Sequence, residues 1–598
     1  RASEGLGSLL ELKLNDGDMV TVSPEGGPWA IASGFIVTIL PNAVTVRFEK
    51  PLQLRGALKT SADIEDCVPH ILSLSQKRST AFGSCWRPVC DVPYGREIVS
   101  VSWRIDKDEP RSGYGVIKDN LLQLFTANSG RESLRSLIVD LAAPAFEESD
   151  IPLSSRPEIR NDAKALKEVE SLNEDQHVAI QKVLSAKGYA LILGMPGTGK
   201  TTTITHIVQT LIRLKKSVLV TAYTHSAVDN MLLKLKELNI DFIRIGKSHQ
   251  VHPDIRAYTV DADGSIGSVA ALQERLDRPF VVGSTCLGVS HPIFQHRHFD
   301  YCIVDEAGQL TQAVCIGPLL CAKVFVLVGD HYQLPPLVQN PEARKLGMDI
   351  SLFKRLSDAH PHAMVNLAHQ YRMNADIMLL CNTLTYDNRL QCGTQAIGDS
   401  CLIVPLLEGD SAGMAAKTFS SHLPTWLKDT LQSKRRVVFL DTDEVPALDS
   451  RAGDVMVNEV ERELVCKVVM GLTKGGVPPK SIGVITPYRS QTRAVAHALQ
   501  SLDVSLVDVQ TVDKYQGRDK EAVIISFVRS NAKGNVGDLL KDWRRLNVAF
   551  TRAKKKLILI GSRTTLTRVP ILSKLFDLLA AKQWIYVLPE NAHLLEKA

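Results

Sequence analysis

Long apolar runs are missing from these 598 residues. No segment reaches the ~18 uninterrupted apolar residues that a membrane helix needs, so neither a membrane span nor a membrane partner is expected. The nearest approach, 313–328, is interrupted by Pro318 and Lys323 and reads as a loop joining a helix to a strand. Paired cysteines are missing as well. The eleven cysteines form no Cys-x-x-Cys, and the closest two, Cys85 and Cys90, have no neighbouring His or second pair to complete a zinc site. Such usage suits a reducing compartment. A strong charge of one sign is also lacking. The net charge of +5 does not by itself identify a nucleic-acid binder. Basic residues cluster only locally, at Lys434-Arg435-Arg436, Arg544-Arg545 and Lys554-Lys555-Lys556, and the first cluster reads as a solvated face.

A chain of this length cannot bury itself around one core, so several domains are expected. Residues 1–110 carry short β-rich runs (Met19–Val22, Phe35–Thr38, Val44–Phe48) between Gly, Pro and Asp turns, the pattern of a small antiparallel β-barrel. Residues 111–160 look like a helical stalk. From 161 to 400 strands and helices alternate, with strands expected at 217–221, 280–284, 301–304 and 325–328. Residues 401–433 read as a linker or irregular insertion. A second alternating block fills 434–598, with strands expected at 437–440, 483–485, 504–509, 522–527 and 557–560. Alternation of this kind marks parallel α/β sheets. The expected fold is therefore α/β: two tandem parallel-sheet domains, preceded by the barrel and the stalk.

The chemistry starts at Gly194-Met195-Pro196-Gly197-Thr198-Gly199-Lys200-Thr201, between the apolar run Tyr189–Leu193 and a helical pattern at Ile204, Ile207, Val208 and Leu211. Glycines at this spacing let backbone N–H groups cradle phosphate oxygens, while Lys reaches the β- and γ-phosphates and Thr holds Mg²⁺. ATP-binding candidates are thus 194–201 and the adjoining Thr202, with Lys200 catalytic and Thr201 a Mg²⁺ ligand. Ile303-Val304-Asp305-Glu306 places two carboxylates at the end of a buried strand, which is costly unless they are used. Asp305 would hold Mg²⁺, and Glu306 would act as general base on water. Gln333, in Gly329-Asp330-His331-Tyr332-Gln333, can sense a γ-phosphate. Arg372 and Arg552 are candidates for stabilising the charge that builds on phosphoryl oxygens. Arg545 is the weaker candidate and also fits a structural ion pair. One phosphate loop shared by two α/β blocks suggests tandem RecA-like parallel-sheet motor domains, with the nucleotide expected at their interface.

In their order, these strings resemble superfamily 1 helicases over residues 172–565. The resemblance implies that Gln176 in Asn173-Glu174-Asp175-Gln176 reads the adenine edge and that Tyr371 stacks on the base. It also implies that Gln516 and Gly517 sit at the nucleotide and that Asp519 stands where a ribose-contacting carboxylate is usual. It assigns the nucleic-acid backbone to Thr224, His225, Ser226 and Asn230, to Ser284 and Thr285, and to Pro487, Tyr488, Arg489 and Gln491. Hydroxyls and amides at strand ends suit sequence-independent phosphate contacts. The barrel and Gln370-Tyr371-Arg372-Met373 resemble the 5′→3′ branch. Four strings, at 194–200, 223–230, 512–520 and 539–549, are similar to the eukaryotic DNA replication ATP-dependent helicase/nuclease family. That family implies single-stranded DNA as track, replication protein A as partner, roles in Okazaki-flap processing and double-strand-break resection, and a nuclear location with mitochondria as a second compartment. It also implies a nuclease domain and a 4Fe-4S cluster N-terminal to the barrel. Neither constellation is present in these residues; the start at Arg1 suggests that this part was cut away or lies on another chain, so both are expected only in a presumed parent protein. Two other readings stay open on the sequence: an RNA helicase of the nonsense-mediated-decay type, and a DNA-stimulated ATPase clamp that does not unwind.

Overall fold

The computed structural model describes six strands between residues 19 and 107, then residues 111–125, 132–147, 152–260, 268–408, 414–452 and 455–594. The chain divides into two units, 1–115 and 116–598. In the first, strands Met19–Pro24, Ala32–Leu40, Ala43–Phe48, Ile71–Gln76, Pro88–Tyr94 and Glu97–Lys107 pair antiparallel in order, and the last returns to the first to close a barrel. Val20, Ile36 and Val46 are buried.

The second unit contains two parallel sheets. The first has seven strands, in the order Phe242–Arg244, Val281–Thr285, Val218–Ala222, Phe299–Val304, Ala322–Gly329, Tyr189–Gly194 and Met364–Leu367. Their runs of Val, Ile and Leu are buried on both faces, as helices on both sides require. The second has six, in the order Asp508–Thr511, Ile482–Thr486, Lys520–Ser526, Ala553–Gly561, Val437–Asp441 and Ile585–Val587. Strand C-terminal ends carry the chemistry in both sheets, where such folds bind ligands.

Four expectations are corrected. The stretch 401–433 is not irregular. It forms helices Pro405–Glu408, Met414–His422 and Thr425–Leu431, and Leu402, Val404, Trp426, Leu427 and Leu431 pack into the second motor core. The fully buried Lys556 ties it down, donating from Nζ to the carbonyls of Gln432 (2.8 Å) and Arg435 (2.7 Å). The second core also begins earlier than residue 401 or 434. Met373, Ile377, Leu380, Tyr386 and Leu390 already belong to it, so the crossover lies between Leu367 and Met373. The expected stalk is not separate throughout. Leu124 and Ile138 pack into the first motor core, on the same unit as the seven-stranded sheet. Pro318, read as part of a loop, lies inside helix Gln312–Leu319.

Candidate nucleotide site and nucleic-acid face

The phosphate loop leaves the fully buried strand Tyr189–Gly194 and turns into helix Lys200–Arg213. Gly197 and Gly199 take left-handed backbone angles, φ 76° and 77°, which residues with a Cβ adopt at a cost. A Cβ on Gly194 would collide with the Lys200 side chain, and one on Gly197 would lie 2.7 Å from Arg372 Cβ. Lys200 Nζ donates to the Gly194 carbonyl at 2.8 Å, and the Thr198 hydroxyl donates to the Met195 carbonyl at 2.7 Å. The helix begins at this loop, so its first N–H groups face the same space, which suits an anion. Thr201 is half-buried and Thr202 exposed on that first turn, while Met195, Pro196 and Thr198 are buried.

Gln176 and Tyr371 come together through Asn173. Asn173 and Gln176 form a reciprocal capping box at the start of helix Glu174–Ser185, at 2.9 and 3.1 Å, and Asn173 Nδ2 donates to Tyr371 Oη at 2.9 Å. Tyr371 N–H donates to the Gly197 carbonyl at 2.8 Å, so the ring is pinned to the phosphate loop with 41% of the residue exposed. Gly393, which sequence reading did not single out, lies so close to that ring that a Cβ there would strike it.

Asp305 follows strand Phe299–Val304 and is buried. Burial first, and the Glu306 carboxylate second, push its carboxyl up to about 7, while Lys200 acts in the opposite direction. Glu306 adopts φ 52°, its N–H donates to Asp305 Oδ1 at 2.8 Å, and its Oε2 accepts from Gln309 Nε2 at 2.7 Å. Gln333 is buried and donates to Asp330 Oδ2 at 2.7 Å.

The second motor domain closes the cleft. Arg372 Nη2 lies 3.0 Å from Asp519 Oδ2, and Nη1 donates to the Thr551 carbonyl at 3.3 Å. Arg552 is buried beside it, donating to the carbonyls of Val548 (2.9 Å) and Arg518 (3.2 Å) and to the Thr551 hydroxyl (2.9 Å). Burial, then the Arg372 charge, lowers its guanidinium to about 10, while Glu306 acts to raise it. Both arginines therefore share the electrostatic surroundings of Glu306. Asp519, for which the resemblance implies a ribose contact, stands here in an ion-pair network. Its two oxygens are taken by Arg372 and by Lys554, the latter at 2.8 Å, because three cations crowd this carboxylate. Arg545 pairs with Asp542 at 2.8 Å and Asp513 at 3.3 Å, which is a structural role. Gly517 takes φ 77°, and Gln516 Nε2 is buried with no partner. That orphaned donor and the glycine cradle fit a nucleotide triphosphate. Among the described residues no group of three or more His, Cys, Asp or Glu side chains could hold a metal by itself. Cys286, Cys302 and Cys315 are buried, and desolvation pushes their thiols up.

The nucleic-acid candidates divide by exposure. Thr224, Ser226, Asn230 and Arg489 are exposed, and Pro487 and Tyr488 are half-buried. Thr224 caps helix His225–Glu237 by accepting from Ala227 N–H. Four others are corrected. Gln491 is fully buried, its amide spent on the Asn458 backbone at 3.0 Å in both directions. Ser284 is fully buried and donates to the Thr285 carbonyl at 3.3 Å. His225 Nδ1 lies 3.0 Å from Arg244 Nη2, within a buried cluster completed by Asp229. Thr285 is buried too. An amide or hydroxyl at a strand end looks the same in sequence whether it faces solvent or the core.

Two family profiles, each described as an AAA domain, match residues 171–266 with 268–341 and residues 348–564. A DNA replication ATP-dependent helicase/nuclease of Mus musculus is 46% identical over 497 residues, 82% of this chain. Its namesake in Arabidopsis thaliana is 43% identical over 570 residues, 95% of the chain, and that in Saccharomyces cerevisiae 37% identical over 613 residues. The chain belongs to this helicase/nuclease family. It spans 46%, 39% and 38% of the length of those three relatives. Among solved structures, an Arterivirus nonstructural protein 10 helicase shares 16% identity over 65% of this chain and 63% of its own, with a TM-score of 0.33. Every candidate residue of the nucleotide cleft falls inside the segments matched by the AAA profiles, and the barrel falls outside them. No helix among the described residues is long and apolar enough to cross a membrane.

Proposed function

We propose that this helicase/nuclease-family chain is an ATP-driven motor that moves 5′→3′ along single-stranded DNA. The observation that carries the proposal is one cleft. The phosphate loop, Asp305, Glu306 and Gln333 of one parallel-sheet domain face Arg372 and Arg552, which are held by the second. In that cleft Lys200 and the first N–H groups of its helix would hold the triphosphate. Mg²⁺ held by Thr201 and Asp305 would neutralise phosphate charge. Glu306 would take the proton of the attacking water, with Gln309 fixing its carboxylate. Arg372 and Arg552 would meet charge on the equatorial oxygens, the term that dominates phosphoryl transfer. Tyr371 would stack on adenine from its pinned position, and Gln516 would supply a donor.

Because Arg552 comes from the second domain, and Arg372 at the crossover is held by that domain's Asp519 and Thr551, closing the cleft completes the site and reopening it dismantles the site. Alternating closure moves the two nucleic-acid grips relative to one another. The exposed Thr224, Ser226, Asn230 and Arg489 would make the backbone contacts. The relatives' names support replication as the setting. A nuclear or mitochondrial location and partnership with replication protein A are part of the same reading, whereas the nuclease named for the relatives is not assigned to these residues.

The test is steady-state ATP hydrolysis without nucleic acid, with single-stranded DNA and with matched RNA, beside a Glu306→Gln control, followed by unwinding of a 5′-tailed duplex. Stimulation by DNA, lost in the control, and displacement of the tailed strand support the proposal. Stimulation by RNA alone points to a decay-type RNA helicase. Stimulation by DNA without displacement points to a clamp.

A further inference from the structure

A buried polar chain runs from the phosphate sensor to Arg372 and to Arg552 of the second domain. Gln333 Nε2 and the Tyr386 hydroxyl both donate to Asp330 Oδ2, each at 2.7 Å. Asn547 Nδ2 donates to Tyr386 Oη at 2.8 Å and to the Tyr332 carbonyl at 3.0 Å. Asn547 lies in helix Trp543–Phe550, and its carbonyl accepts the Thr551 N–H at 3.1 Å and the Thr551 hydroxyl at 2.8 Å. Thr551 in turn receives Arg372 at its carbonyl and Arg552 at its hydroxyl.

Each of these groups is nearly sealed from solvent: Asp330 is 3% exposed, Gln333 5%, Tyr386 0%, Asn547 3% and Thr551 0%. Polar groups are costly there unless satisfied, and charge-assisted bonds to Asp330 are strong. The surroundings leave little slack. Tyr332 packs edge-on against Tyr386, with ring centroids 5.7 Å apart, and against Trp543 at 6.3 Å. Tyr386 ends a single π-helical turn, Asn382–Tyr386, followed by Asp387 at φ 49°. That turn places the hydroxyl inward at the crossover between the domains. Asn547 Nδ2 spends its donors on Tyr386 and Tyr332, while its Oδ1 is buried without a partner.

We infer that Tyr386 is a positioning residue that links the Gln333 sensor to the two arginines through Asp330 and Asn547. When Gln333 turns toward a γ-phosphate it loosens its hold on Asp330. The shared oxygen then serves Tyr386 alone, and the helix bearing Asn547, with Thr551 at its C-terminal cap, settles so that the two arginines bonded to Thr551 move toward the cleft. Tyr386 touches no substrate; it acts through its neighbours. This inference rests on the ATP-motor reading above.

The test uses Tyr386→Phe in the full chain, which removes one hydroxyl and keeps the ring. Single-stranded-DNA-stimulated kcat should fall about tenfold, while KM for ATP and the Kd of a fluorescent ATP analogue stay within about twofold. Asn547→Ala should show the same split, and the double variant should be no worse than either single one, because the two residues act in one chain. Wild-type kcat in Tyr386→Phe would overturn the inference. So would losses that multiply in the double variant, or nucleotide binding that fails together with turnover. A wild-type chain that does not hydrolyse ATP would instead bring down the motor reading itself, and the inference with it.

Discussion

The Arg372 guanidinium is held 3.0 Å from the Asp519 carboxylate, across the cleft between the phosphate loop and the second sheet. Arg372 is buried enough that desolvation acts to lower its pKa, and Asp519 is the first influence opposing this. The carboxylate therefore keeps the guanidinium charged and aimed. Lys554 shares Asp519 at 2.8 Å, so the pair belongs to a small network, not to an isolated bridge. Asp519→Ala should lower DNA-stimulated kcat by about tenfold with KM for ATP nearly unchanged, since the arginine is needed most when charge develops. Steady-state kinetics at saturating DNA reads this directly. A rise in KM without a fall in kcat would mean that Asp519 serves nucleotide binding instead.

Glu306 stands in a left-handed backbone conformation, φ 52°, and Gln309 holds its carboxylate. A non-glycine residue in that region is uncommon and tends to be kept where a side chain must be aimed. Glu306→Gln keeps the shape and removes the base. Hydrolysis should fall by about 10²–10⁴-fold, the usual range for losing a general base, while nucleotide binding survives. Paired turnover and equilibrium-binding measurements separate the two effects.

The legible parts of this molecule were those whose signal is local. The phosphate loop, the carboxylate pair and the buried Val/Ile/Leu runs are written in consecutive residues, and strands expected at 217–221 and 437–440 lie within a residue or so of Val218–Ala222 and Val437–Asp441. Short edge strands such as Phe242–Arg244 and Ile585–Val587 carry too few residues for a period to show. The helices in 401–433 hid because the first has four residues and the last seven, and tertiary burial of Trp426 and Leu431 sustains what periodicity does not announce. Tyr386 and Asn547 were invisible for another reason. Their partners lie 56 and 161 positions apart along the chain, so only the folded cleft brings them together. The domain crossover near residue 370 was missed because the helix after it looks the same whichever core it joins.

Arg244 is completely buried, with Nε donating to Asp229 Oδ1 at 2.8 Å, Nη1 to the Ile245 carbonyl and Nη2 beside His225 Nδ1 at 3.0 Å. Asp229 Oδ2 also accepts the His252 N–H at 2.9 Å. Asp229→Ala should destabilise the first motor domain by about 3–5 kcal/mol, because it strands a buried guanidinium. His225→Ala should cost far less, since the ring is only one of the guanidinium's partners. Denaturant unfolding followed by far-ultraviolet circular dichroism tests the order. If His225→Ala left stability untouched but weakened DNA binding, the backbone-gripping role implied by resemblance would return.

Glu461 gives the second motor domain a distinct pH response. Its carboxyl is fully buried, accepts from the Ser526 hydroxyl at 2.6 Å and the Val528 N–H at 2.8 Å, and is pushed up to about 8 by desolvation. Val528, a β-branched residue at φ 70°, is held in that costly conformation partly by this bond. In the unfolded chain Glu461 ionises near 4.5, so between about 4.5 and 8 the folded state binds more protons than the unfolded one. Stability from this group is therefore full below the unfolded value and declines as pH rises toward 8, at up to about 1.4 kcal/mol per pH unit. Glu461→Gln removes the titration but keeps an acceptor for Val528. Its stability relative to wild type should improve steadily from pH 5 to pH 8. Parallel denaturant curves for the two proteins at pH 5, 6.5 and 8 measure the difference, and a gap independent of pH would show that Glu461 is ionised in the fold.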